Sequence, residues 1–284
     1  MDILFVLLYA GLIGFYNVFK KLAVVKSRET TVLVLFTTVA FLLSLIWIPF
    51  GISISWQFIL IFALKGFLLA LSWFLTLKVL QTADLSLVTI INVLSAVLSF
   101  VSGMLIFKES ASVWQIVGSV LVVLGVAAIN LVSKKQKGSV TVLQFFMLLF
   151  GALVTTSTTI IDKFTTSYLT NHQVQFWFLL FVCVFSWIFF LIDCLRKKEF
   201  LIKKDDLKNW WTYLVGVFLF VGDYMLFRAY KVPGSKMITI SILAQLKVVI
   251  AVLAGILIFK EKNIWKKLAL LAVVILGAVL ISVF

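Results

Sequence analysis

Charge is scarce in this chain: Asp, Glu, Lys and Arg make up 13% of its 284 residues, against about a quarter in soluble domains. Acidic residues are the rarer sign, 11 against 25 Lys and Arg, which leaves a formal net charge of +14. No water-soluble core of this length absorbs a composition that is 63% hydrophobic, because the surplus would lie on the surface as aggregation-prone patches. Soluble enzymes, disordered chains and nucleic-acid-binding domains are thereby excluded, and nucleic acid is not an expected partner. The basic excess instead reads as loop Lys and Arg retained on the cytoplasmic face and drawn to anionic membrane lipids. Cysteine is nearly absent: Cys183 and Cys194 lie eleven residues apart in one apolar segment. On a helix that spacing is about 16 Å, beyond the roughly 7 Å reach of a disulfide. A single histidine and two thiols make no metal-ligand set. Also missing are a Gly-rich phosphate loop followed by Lys-Ser/Thr, an H-E-x-x-H pair and a G-x-S-x-G elbow. An ATP-driven pump, a membrane metalloprotease or another membrane enzyme therefore has no residue set to support it. No catalytic residue, metal or cofactor is expected.

What is abundant is apolar sequence in long runs. A spanning helix needs about 20 mainly apolar residues, and ten such stretches occur: roughly 2–20, 30–50, 57–80, 85–107, 113–132, 142–164, 173–195, 209–231, 235–259 and 264–283. The runs are continuous rather than alternating, which disfavours a β-barrel. The opening segment MDILFVLLYAGLIGFYNVFKK carries its positive charges after the apolar run and shows no small-residue cleavage site, so it reads as a first span rather than a signal peptide. The odd-numbered loops hold 18 of the 25 Lys and Arg and the even-numbered loops five. Taken literally, this places the odd loops in the cytoplasm and both termini outside.

The chain repeats itself. GMLIFKE at 103–109 returns as GILIFKE at 255–261, an offset of 152 residues, and the same offset superposes Leu124-Gly125 on Leu276-Gly277. Trp114 and Trp265 follow the two glutamates, one residue out of step. Two halves of five spans result, 1–133 and 141–284. Five is odd, so the second half inserts upside down relative to the first, a construction of secondary transporters with the site between the halves near the midplane. Each G-x-L-I-F-K-E segment and the L-G span after it resemble the EamA domain of the drug/metabolite transporter superfamily. The stretches LKVLQTADLSLVTIINVLSAVLSFVSGMLIFKES and YKVPGSKMITISILAQLKVVIAVLAGILIFKE are both similar to that domain's best-preserved part. The resemblance implies an all-α integral membrane protein with ten transmembrane helices in two inverted repeats, exporting or exchanging small metabolites without ATP. It also implies cytoplasmic termini, opposite to the loop-charge count. Family members often carry a proline thirteen residues before the glutamate. Ala96 and Val248 stand at those positions, so the helix break a proline supplies is absent or moved. Glu109 and Glu261 correspond to the family's marker glutamates. Their place at a span–loop junction points to capping or fixing a turn more than to substrate contact.

A charge at mid-bilayer depth costs about 2.5–3.5 kcal/mol on insertion scales and is a functional candidate by default. Three stand out: Lys65 in the third span, Asp223 in the eighth and Lys247 in the ninth. In the fourth span Thr89, Asn92, Ser95, Ser99 and Ser102 draw one polar stripe at helical spacing. Adding the repeat offset gives Ser241, Ala244, Lys247, Ala251 and Ala254, so Lys247 is the repeat partner of Ser95. Such stripes mark close packing or a wet cavity, and Lys247 needs a counter-charge. Asp223 is the nearest candidate by depth. One reading is a static Asp223–Lys247 or Asp223–Lys65 pair that holds helices in register. The other is a switch, in which an anionic substrate takes Lys247 and Asp223 binds a proton, since desolvation favours the neutral form of a buried carboxylic acid. Thr155, Thr158, Thr159 and Asp162 share a face of the sixth span, while Tyr9, Ile13, Tyr16 and Lys20 share one of the first, with Asn17 beside it. Threonine hydroxyls either line a path or bond back to their own helix. Asp162, Lys163, Lys78 and Arg228 read as interfacial, close enough to span ends to snorkel. Trp56, Trp114, Trp210, Trp211 and Trp265 fit an aromatic belt. Trp47 and Trp73 read as deeper, Trp73 as a candidate for stacking on a substrate.

The expected function is a multi-pass plasma-membrane carrier for a small anionic or zwitterionic metabolite such as an amino acid or organic acid, acting by alternating access. Lys247, Asp223, Lys65, Ser95, Asn92, Ser241, Tyr16, Asn17, Trp73 and Thr158 are the candidate substrate-binding residues. The expected partners are the solute, membrane lipids and a proton as candidate coupling ion, with the protein a monomer or homodimer. The alternatives are an exporter of hydrophobic or cationic compounds with Asp223 as the cation or proton site, and a membrane scaffold without an aqueous site.

Overall fold

The computed structural model describes residues 2–82, 88, 93–133, 141–200, 202–258 and 264–283, and among these residues no strand occurs. The elements in chain order are α1 (Asp2–Lys26), α2 (Glu29–Ser44), a 3-10 segment (Leu45–Phe50), α3 (Trp56–Thr82), α4 (Val93–Ile106), α5 (Val113–Ser133) and α6 (Val142–Tyr168). They continue with α7 (Asn171–Lys197), the single turn α8 (Lys204–Leu207), α9 (Trp210–Lys231), α10 (Met237–Leu243), a 3-10 turn (Ala244–Leu246), α11 (Lys247–Leu257) and α12 (Ile264–Val283). Hydrocarbon offers no hydrogen bonds, so an apolar run of this length satisfies its backbone internally as a helix. Among the described residues seven stretches are long and apolar enough to cross a bilayer, and shorter apolar stretches lie in α4, α5 and α12. Polar residues fix where helices begin. Thr141 with Gln144 and Thr170 with Gln173 form capping boxes at α6 and α7, and Ser112 with Gln115 makes the same reciprocal bonds at α5. Trp56, Trp114, Trp210 and Trp265 stand at or beside the first residues of α3, α5, α9 and α12, each more than half exposed.

Helix α1 packs on α9 and α11, α3 on α6 and α7, α2 on α7 and α9, and α4 on α6 and α10. Helix α5 pairs with α12. The α5–α12 crossing needs glycine: a Cβ on Gly118 would stand 2.6 Å from the Gly277 carbonyl oxygen, and one on Gly277 equally close to that of Gly118. Backbones that meet this closely gain dispersion contacts where lipid exclusion supplies little drive. Cys183 and Cys194 are both free thiols.

Three readings of the sequence are corrected here. The stretch 235–259 is not one helix, because the 3-10 turn Ala244–Leu246 separates α10 from α11 immediately before Lys247. At this turn the amide of Gln245 donates to the Ser241 carbonyl at 3.2 Å. The break thus sits beside Val248 without a proline. Trp47 is not deep. It lies in the 3-10 segment after α2, stacked on Tyr224 (5.2 Å) and against His172 (4.4 Å) at the start of α7. Asp162 is not interfacial. Helix α6 runs to Tyr168, which leaves Asp162 about 9 Å short of its end and only 7% exposed.

Glu109 does cap, but not its own helix. Its carboxylate accepts the backbone N–H groups of Met237 (2.7 Å) and Ile238 (2.9 Å) at the start of α10. A left-handed Lys108 (φ 53°) turns the chain so that the side chain can reach. A residue of the first half thereby fixes the helix that leads to Lys247. Glu261 and Lys260 lie outside the described residues, as do Thr89 and Asn92.

Candidate functional site

Helices α1, α3, α4, α6, α9 and α11 enclose a cavity of about 150 Å³, with Phe178 of α7 at its wall. It lies at mid-depth: Lys65 is the tenth residue of the 27 in α3, and Asp223 the fourteenth of the 22 in α9. Lys247 is the eleventh of the 21 in the Met237–Leu257 stretch. The wall contains Lys247, Asp223, Lys65, Ser95, Tyr16, Asn17, Trp73 and Thr158. Ser241 lines a smaller chamber of about 40 Å³ that shares Tyr9, Ser95, Thr155, Thr159 and Lys247 with the first. Asn92 is the one candidate of the ten that falls outside the described residues.

The deep charges pair differently from the sequence expectation. Lys65 Nζ bonds Asp162 Oδ1, not Asp223. The ammonium is 1% exposed, and it also lies 4.2 Å from the Phe178 ring centroid and 5.5 Å from that of Phe227. A carboxylate on one side and two aromatic faces on the other replace its hydration. Asp162 completes this arrangement because α6 turns it inward on the same face as Thr155, Thr158 and Thr159, all of them cavity-lining. The sequence signal for that inward face was the helical spacing of these four residues. It was outweighed by an endpoint for the helix set several residues too early.

Among the described residues no ion pair or hydrogen bond is found for the Lys247 ammonium or the Asp223 carboxylate, although both line the cavity. Lys20, on the same face of the first span as Tyr9, Ile13 and Tyr16, is 6% exposed and also faces the cavity. The threonines do both things weighed for them. Thr155 donates to the Gly151 carbonyl (2.8 Å), while Thr158 (2.9 Å) and Thr159 (2.8 Å) donate to that of Thr155. All three also line the cavity, and a donated proton leaves each oxygen able to accept. Trp73 packs against Phe36 (5.7 Å) and Phe178 (6.4 Å) with part of its ring on the wall. Chemically, the arrangement can hold a small polar solute by charge and hydrogen bonds.

Lys163, read as interfacial, donates to the Ser235 carbonyl (2.6 Å) and hydroxyl (3.2 Å). It thus anchors the α9–α10 connection to α6. Lys78 and Arg228 are exposed.

A solved crystal structure, described only as that of a protein, superposes with a TM-score of 0.72 over 96% of this chain and 94% of its own, at 11% identity. At that identity the likeness speaks for the fold alone. Among curated proteins none matches the chain. The profile of the EamA-like transporter family matches two successive stretches, residues 1–131 and 142–283. With nearly the whole length accounted for in this way, the chain belongs to the EamA-like transporter family and is a multi-pass membrane protein.

Proposed function

We propose that this protein is a secondary active transporter that exports or exchanges a small anionic or zwitterionic metabolite, such as an amino acid or organic acid, across the plasma membrane. The observation that carries the reading is the mid-depth cavity, polar on several walls and walled by helices from both halves of the chain. A site between two halves is what rocking of one against the other can expose alternately to either side. In this reading the shorter apolar stretches of α4, α5 and α12 complete ten spans, with α10 and α11 together forming the ninth. Residues 1–133 and 141–284 are then the two inverted repeats. Five ionisable Lys and Asp side chains line the cavity, three cationic and two anionic, so an anion is favoured by the field. Lys247 stands at the helix break, and a displacement of α10 against α11 would move it.

The test is flux of amino acids and organic acids in vesicles reconstituted with the purified protein. Lys247→Ala lowers flux at least ten-fold while the melting profile stays near wild type. Unchanged flux removes Lys247 from the site. Imposed pH gradients then test the proton: flux indifferent to the gradient removes Asp223 as a coupling group. One observation favours a second reading. Asp223 has no ion-pair partner among the described residues, which suits a cationic solute. Loss of binding in Asp223→Asn but not in Lys247→Ala selects that reading. A scaffold without transport leaves Lys20 and Lys247 at the cavity wall without a use.

A further inference from the structure

Lys65 and Asp162 neutralise each other, which leaves Lys20, Lys247 and Asp223 to face the cavity. Helical side chains tilt toward the N-terminus. Lys20, in the last third of α1, therefore reaches back one turn into the cavity instead of out to the headgroups. Its Nζ lies 3.5 Å from the Tyr16 hydroxyl and 4.6 Å from the Tyr16 ring centroid, and among the described residues no carboxylate pairs with it. Lys247 enters from the opposite half of the chain, at the first residue after the 3-10 turn. The two ammonium groups thus face one cavity from opposite halves of the chain. Two ammonium groups in one pocket are unfavourable unless anions come between them, and in the switch reading, where Asp223 takes a proton as the solute binds, both anions come from the solute. A cavity of about 150 Å³ has room for about five waters, roughly the bulk of a four-carbon diacid.

Resting on the transport reading above, we infer that the cavity selects small solutes bearing two carboxylates over those bearing one, with Lys20 and Lys247 as separate anchors. Each ammonium takes one carboxylate. The solute then ties the first half of the chain to the second, and either anchor alone holds only half of it. Tyr16 positions Lys20 by receiving its Nζ over the ring and at the hydroxyl.

Calorimetric titration of the full-length protein in detergent tests this with succinate, aspartate, lactate, alanine and glycerol 3-phosphate. Succinate and aspartate bind at least ten-fold tighter than lactate and alanine. Lys20→Gln and Lys247→Gln each bring the two-carboxylate probes down to the level of the one-carboxylate probes. Lys20→Arg retains the preference, which separates a lost charge from a lost fold. Lactate bound as tightly as succinate overturns the two-anchor inference and leaves the transport reading standing. The same holds for glycerol 3-phosphate bound where neither diacid is. Silence from all five probes also overturns it, and the flux assay above then decides the transport reading separately.

Discussion

Replacing Asp162 by Asn strips the counter-charge from an ammonium that is 1% exposed. Removing one partner of a buried pair destabilises by about 3–5 kcal/mol, because the other charge stays behind uncompensated. The rings of Phe178 and Phe227 stay over Lys65 Nζ and leave the charge better supported by about 1–2 kcal/mol than a bare one. The expected loss is thus about 2–3 kcal/mol, a 30- to 150-fold shift of the folding equilibrium at about 1.4 kcal/mol per decade. Replacing both partners at once, Lys65→Met with Asp162→Leu, leaves no buried charge, so the double variant stays within about 1 kcal/mol of wild type. The assay is reversible denaturant unfolding in mixed micelles of wild type, Asp162→Asn, the singles Lys65→Met and Asp162→Leu, and their double. A loss for Asp162→Asn within about 0.5 kcal/mol, the scale of a surface substitution, refutes the pair as the ammonium's support. So does strict additivity, which partners in contact do not show.

Glu109→Ala removes the acceptor of two backbone N–H groups at the start of α10 and lowers stability by about 1–2 kcal/mol. Glu109→Gln, which keeps one acceptor oxygen, loses about half of that, and equal melting of the two variants counts against the capping role. Gly118→Val drives a side chain into the Gly277 carbonyl, where even a Cβ stands at 2.6 Å. It separates α5 from α12 at a cost of about 1–3 kcal/mol, read as faster cleavage in limited proteolysis of the purified protein. Arg28→Ala breaks the Arg28–Glu199 pair, whose side chains are 43% and 49% exposed, and shifts the unfolding midpoint by less than about 1 kcal/mol's worth.

Hydropathy and helical spacing carry information along one strand of chain. They sufficed for the apolar spans, the inward faces bearing Tyr16, Asn17, Ser95, Thr158 and Lys247, and the internal repeat at an offset of 152 residues. They sufficed because every lipid-bounded segment must be apolar and helical whatever its neighbours are, and because a polar residue on such a helix turns away from lipid. Partner choice is not local. Lys65 pairs with Asp162 and not with Asp223 because α3 packs directly on α6. Lys20 turns into the cavity because α1 lies against α9 and α11, with Tyr16 to receive its Nζ. Glu109 finds its N–H donors 128 residues away. These are properties of helix rotation, depth and neighbour, set when the helices pack, and no window along the chain contains them.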